Sequence, residues 1–132
     1  MAFGKNDMIK RQRTYVLDML LMIDGLPKGY SYGVIGRQLT RCSTSVGANY
    51  RAACRAKSTA DFINKLKIVE EEADECLYFM DLLTALKGTD IKILETLIKE
   101  GNEILAITVA SIKTAVANKK IKNQKSKIVI RK

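Results

Sequence analysis

"DFINKLKIVEEEADECLYFMDLL", residues Asp61–Leu83, decides the fold. Within it Phe62, Leu66, Val69, Ala73, Cys76, Met80 and Leu83 follow one another at spacings of 4, 3, 4, 3, 4 and 3. A strict seven-residue apolar repeat is the seam of helices packed at a shallow angle. Ser58 is placed to cap this helix, with Asp61 as the acidic half of a capping box. Gly88, in "KGTD", suits its C-cap. A helix over 58–86 is about 42 Å long, too long for one side of a squat globule. Its last turns, "LYFMDLLTAL", are apolar almost all round. They call for cover on more than one side, by the bundle and by another subunit.

Three further helices follow on either side. The single proline, Pro27, lies in "GLPKGYSYG", a Pro/Gly cluster that marks the one long loop. Before it, Asn6 or Asp7 caps a helix over 7–24. After it, a second helix covers 32–56. Thr89 or Asp90 opens a fourth over 90–118, with Leu94, Ile98, Leu105, Val109, Ile112 and Val116 as its apolar stripe. Gly101 in that stripe is a packing notch; a Gly inside a helix costs up to about 1 kcal/mol against Ala. The expected fold is all-α, an antiparallel up-down-up-down four-helix bundle over 1–118. The tail, 119–132, is expected to be basic and flexible, and "KIVIRK" within it is the only stretch with strand-like alternation.

The chain of 132 residues carries a net charge of +9. Its distribution matters more than its size. Residues 32–57 hold five bases and no acid, residues 58–87 seven acids against three bases, and residues 113–132 eight bases and no acid. Such asymmetry points to a polyanionic partner. On the second helix Arg37, Arg41, Arg51 and Arg55 fall within roughly 80° of arc. Ile35, Leu39, Cys42, Val46, Tyr50 and Ala53 take the opposite side. A guanidinium binds phosphate through a planar, permanently charged fork. The ridge therefore suits a nucleic-acid backbone, with affinity and salt dependence but no sequence readout. Lys57 and the tail lysines Lys119, Lys120, Lys122, Lys125 and Lys127 extend the basic set, with Lys10, Arg11 and Arg13 as further candidates. Pairing of the ridge with the acids of "EEEADE" (Glu70–Glu75), within the subunit or on a neighbour, is the structural alternative. Ser45 and Asn49, four residues apart, form a polar stripe beside the ridge. They are either a hydrogen-bonded pair holding the bundle or a contact to a ligand.

Several function classes lack their residues. The chain has no His, the usual group for proton transfer near neutral pH and for metal ligation. Its three cysteines, Cys42, Cys54 and Cys76, form no CxxC pair and read as small apolar residues in a reducing cytosol. "GVIGRQL" has neither the lysine nor the spacing of a phosphate loop. With five Tyr and three Phe, mostly at core positions, stacking platforms for single strands are scarce. No export signal or membrane-length apolar run is present. A cytoplasmic, non-catalytic protein without cofactor is expected.

The stretch from Gln38 to Leu83 resembles the bacterial four-helix-bundle family named for intervening sequences in 23S ribosomal RNA genes. Ser45, Val46 and Asn49 on the second helix, the basic turn Arg55–Ser58, and Phe62, Leu66 and Glu72 on the third carry the resemblance. Many members have Glu-Gly soon after the Asn; this chain has Ala52 and Ala53, so no role of that glutamate carries over. The resemblance implies up-down bundles that assemble into rings, typically pentamers. A similar architecture occurs in the accessory protein of diversity-generating retroelements, which is basic and works with a reverse transcriptase and nucleic acid. The functional expectation is a homo-oligomer that binds RNA or DNA with little sequence preference. The alternative is an oligomeric protein–protein scaffold.

Overall fold

The computed structural model describes residues 4–131, with side chains as far as Lys127. Four helices account for nearly all of it: α1 (Lys5–Asp24), α2 (Tyr30–Ala53), α3 (Thr59–Leu86) and α4 (Ile91–Arg131). They form an all-α four-helix bundle. No strand occurs among the described residues.

The helix starts follow local chemistry. Ser58 Oγ accepts the Asp61 N–H at 3.1 Å, satisfying one of the orphan donors of α3. Asp90 Oδ1 does the same for Lys92 N–H at 2.8 Å and Ile93 N–H at 3.4 Å, opening α4. α1 departs from expectation. It begins at Lys5 behind Gly4, and Asp7 lies inside its first turn rather than capping it, where its charge still complements the helix dipole. α2 begins at Tyr30, directly behind Gly29, whose φ of 150° favours glycine. α2 also ends at Ala53, so Arg55 lies in the α2–α3 turn and not on the helix.

At the end of α3, Lys87 and not Gly88 takes the left-handed conformation (φ 59°). Gly88 is there for space. A Cβ on it would come within 2.9 Å of Tyr32 Cζ and 3.2 Å of Pro27 Cγ. The α3–α4 turn thus packs beneath the start of α2 and the α1–α2 connection.

The seam of α3 is buried from Leu66 to Leu83 as its spacing requires. At its first position Phe62 is only half-buried and Ile63 turns inward instead. α4 corrects the sequence expectation more strongly. Its buried row is Leu94, Leu97, Gly101, Ile104 and Thr108, whereas Ile98, Leu105, Val109, Ile112 and Val116 are half-buried. The two rows lie about 80° apart on the helix, and only packing against the other helices decides which faces the core. Gly101 is the expected notch: a Cβ there would approach Tyr15 Oη to 3.0 Å and Leu77 Cδ2 to 3.1 Å.

α4 also runs beyond the expected end near Asn118. The helix continues to Arg131, so the basic segment is neither irregular nor strand-like over the described residues; Lys132 lies outside them. At 41 residues α4 is about 60 Å long. Side chains from Ala117 to Lys127 are all exposed. The helix therefore leaves the bundle as an arm.

α2 and α3, and α3 and α4, share the broadest packing, and α1–α4 the thinnest. Among the described residues α1 and α3, and likewise α2 and α4, are diagonal pairs whose backbones stay apart while their side chains meet in the shared core. Tyr15, Met19, Leu39, Leu66, Met80, Leu83, Leu94 and Ile104 fill the centre, each large apolar side chain worth about 1.5–3 kcal/mol on burial. Two groups cut against this: Gln12 is 1 % exposed yet neither amide atom has a protein partner, and the buried Tyr15 hydroxyl has only the Cys76 thiol beside it. No helix among the described residues is long and apolar enough to cross a membrane.

Candidate nucleic-acid interface

The arginine ridge of α2 divides between two neighbours. Arg41 turns to α3, where Nη1 donates to Glu72 Oε2 at 2.9 Å and Nη2 to Glu75. Its pKa is raised, first by the hydrogen bond to Glu75. Glu72, one of the residues that carries the family resemblance, thus serves as a partner for the ridge. Arg51 turns to α1, where it lines a groove of about 270 Å³ with Arg13, Val16, Leu17 and Gly47. Arg37 sits beside a second α1–α2 depression of about 420 Å³ with Lys28, Leu26 and Tyr32. Arg55 is exposed in the turn beyond α2. Among the described residues Arg37, Arg51, Arg55 and Lys57 have no carboxylate partner.

Arg11 is not available as an open basic residue. Its guanidinium crosses to α4, with Nε 2.8 Å from Glu100 Oε2 and Nη2 2.6 Å from Glu100 Oε1, and it also contacts Glu103. The Arg11 hydrogen bonds hold the Glu100 carboxyl below the usual carboxylate range, and the Glu100 bond in turn raises the arginine pKa. Lys10 and Arg13 remain exposed.

Ser45 and Asn49 are a hydrogen-bonded pair. Asn49 Nδ2 donates to Ser45 Oγ at 2.9 Å and to Ser45 O at 3.0 Å. The Asn amide is thereby held along its own helix, on the flank that also carries Arg41.

The bases gather at one end of the molecule. Lys5 at the start of α1, Lys57 and Ser58 in the α2–α3 turn, Phe62 on α3 and Lys122 on α4 line one groove of about 640 Å³. The arm above it carries Lys119, Lys120, Lys125 and Lys127, all exposed. Lys5 was not singled out by sequence. Nothing local distinguishes it; only the packing of α1 beside the end of α4 brings it to Lys122. Phe62, assigned to the seam, is instead half-buried in the wall of this groove.

The cysteines are thiols. Cys42 and Cys76 face each other across α2–α3 at 3.1 Å, both fully buried. The Cys76 S–H contact to Cys42, reinforced by burial, drives its pKa up. Tyr50, four residues before the half-buried Cys54, is pushed up to about 12 by burial first.

Comparison with known proteins places this architecture. A search of curated sequences finds no match. Among solved structures, a crystal structure of a protein of unknown function from the S23 ribosomal protein family of Bacteroides thetaiotaomicron superposes with a TM-score of 0.76. It is 30 % identical, over 83 % of this chain and 97 % of that one. The sequence profile described as 23S rRNA-intervening sequence protein matches residues 4–110. That span takes in all of α1, α2 and α3 and most of the bundled part of α4, and the chain belongs to the 23S rRNA-intervening sequence protein family.

Proposed function

We propose that this protein is a non-catalytic, cytoplasmic homo-oligomer that binds nucleic acid through its basic end with little sequence preference. The observation that carries this is the convergence of Lys5, Lys57 and Lys122, from three separate elements, on one groove beneath a lysine-bearing helical arm. No acid follows Glu103 in the sequence, so nothing on the arm neutralises it. Arg51, Arg55 and Arg37 add exposed charge on α2 and just beyond it. Contacts of this type bind phosphate and respond strongly to salt.

The helix arrangement supports the proposed assembly. Lys5 meets Lys122 at one end, and Asp18 and Leu21 meet Lys92 and Ile93 at the other, the alternation of an antiparallel up-down bundle. α1 exposes Leu17 and Leu21, the latter at 71 %, and α3 exposes Ile68, Tyr78 and Leu86. Because α1 and α3 are a diagonal pair whose backbones stay apart, their outward apolar faces lie on opposite sides. Two different faces on opposite sides suit a head-to-tail ring. A ring repeats each basic end and raises avidity.

An alternative function, a protein–protein scaffold with no direct nucleic-acid binding, draws support from Arg11 and Arg41, whose charges are spent on carboxylates. A protein partner of the reverse-transcriptase class would suit that role. The test is binding of RNA and DNA as a function of salt. It compares the whole chain, a chain cut after Asn118, and an Arg37→Ala/Arg51→Ala/Arg55→Ala variant of unchanged oligomeric state. A steep slope that falls with either change supports nucleic-acid binding; weak, salt-independent signals in all three favour the scaffold.

A further inference from the structure

The arm of α4 has a charge pattern that selects among nucleic acids. On a helical wheel Lys113, Lys120 and Lys127 fall in one row within about 40°. Lys122 and Lys125 fall on the opposite side, centred about 170° from the first row, with Lys119 on the far face of the helix. Between the rows, on one side, lie Thr114, Ala117, Ile121 and Gln124. All ten are exposed. The ridge of α2 is a single file suited to touching one strand from outside. Two opposed rows on one rod cannot both reach a single strand. They match a rod with a phosphate wall on each side.

We infer that the α4 arm lies lengthwise in the major groove of B-form duplex DNA. One wall of phosphates meets Lys113, Lys120 and Lys127, the other meets Lys122 and Lys125, and the Ala117–Ile121–Gln124 face turns to the base edges. The inference rests on the nucleic-acid function proposed above and names its substrate class. Dimensions favour it: the B-form major groove is about 12 Å wide and admits an α-helix, itself about 10–12 Å across. The major groove of A-form RNA is deep and too narrow for side chains to read. The bundle end supports the same placement. Lys122 shares its groove with Lys5 and Lys57, so the wall that meets the second row continues onto two lysines of the bundle. The face between the rows offers small and apolar groups with one amide, which contacts thymine methyls and adenine edges without a strong sequence code. An arm whose side chains from Ala117 to Lys127 are all exposed is marginal as a helix on its own. Its C-terminal lysines complement the helix dipole, and a groove supplies the missing counter-charge.

The experiment measures affinity of the full-length oligomer by fluorescence anisotropy. The probes are a short B-form DNA duplex, an RNA duplex of the same sequence, and the single DNA strand. The variants are Lys120→Gln/Lys127→Gln for one row, Lys122→Gln/Lys125→Gln for the other, and truncation after Asn118. The DNA duplex should bind about tenfold or more tighter than the RNA duplex. Each row variant should lose most of that preference and lower the salt slope by about two. A major-groove dye should displace the protein, and a minor-groove ligand should not. Equal affinity for the three probes, or a DNA preference that survives truncation, overturns the groove inference and leaves nucleic-acid binding standing. No binding to any probe overturns both.

Discussion

Arg41 Nη1 and Glu72 Oε2 lie 2.9 Å apart across the α2–α3 seam, with Glu75 closing on the same guanidinium. This clasp takes one arginine out of a row that is uniform in sequence. It leaves Arg37 and Arg51 on the α1 side of α2. A charge already held by two carboxylates gains little from a phosphate, because binding must first break the existing pair.

Arg41→Ala should therefore leave nucleic-acid affinity unchanged, while Arg51→Ala weakens it. The Arg41 side chain is 49 % exposed, and surface pairs contribute little, so the urea midpoint should move only slightly. An affinity loss for Arg41→Ala equal to that for Arg51→Ala would mean the clasp opens for ligand.

The Arg11–Glu100 pair predicts a pH dependence. Glu100 is depressed below its ordinary value of 4.5 by the hydrogen bonds from Arg11. A group depressed in the folded state stabilises above its unfolded pKa and loses that contribution as pH falls through the folded one. Stability of the parent protein should decline more steeply between about pH 5 and pH 3 than that of Glu100→Gln. The difference should shrink at high salt. Parallel urea titrations of the two proteins check it.

The Gln12 amide is buried without a protein partner, and the buried Tyr15 hydroxyl has no nitrogen or oxygen partner, only the Cys76 sulfur. Replacing such a group by an apolar one of similar shape removes a desolvation cost of about 1–3 kcal/mol. Gln12→Met and Tyr15→Phe should each raise the urea midpoint. A fall on Gln12→Met would identify a structural water bound to the amide.

Gly88 and Gly101 should respond differently to alanine. At Gly88 the new methyl meets the Tyr32 ring and Pro27, and overpacking of this kind costs about 1–3 kcal/mol. Combining Gly88→Ala with Tyr32→Ala should shrink that increment. Gly101→Ala meets Tyr15 and Leu77 less closely and recovers about 1 kcal/mol of helix propensity, so its net effect should be smaller. Thermal melts of these three variants and of Tyr32→Ala alone test both statements.

Thiol reactivity should separate the cysteines. Cys54 is half-exposed, while Cys42 and Cys76 are buried, and Cys76 is held as a thiol by its contact to Cys42. A disulfide reagent should label Cys54 quickly and the other two only at the rate of global unfolding. Rapid labelling of all three would show that the α2–α3 seam opens locally.

Much of this architecture is readable without coordinates because it rests on local periodicity and local hydrogen bonds. The α3 repeat from Leu66 to Leu83, the Ser58 and Asp90 caps, and the amphipathic α2 depend on residues a few positions apart. The Ser45–Asn49 bond is likewise a contact along one turn. Family membership is legible for the same reason, since its motif lies on two consecutive helices.

Other features required the packed molecule. α4 presents two apolar rows of similar strength, and the surfaces offered by α1 and α3 select Leu97 and Ile104 over Ile98 and Leu105. The partners of Arg11 and Arg41 lie far away in sequence and become neighbours only when the helices dock. Composition alone suggested a loose end after Asn118; the continuing backbone ladder makes it a rod, which gives the lysines sides. Sequence thus determined which segments coil and where charge resides, because those depend on neighbouring residues. Tertiary structure decided which charges are neutralised, because that depends on distances no linear spacing contains.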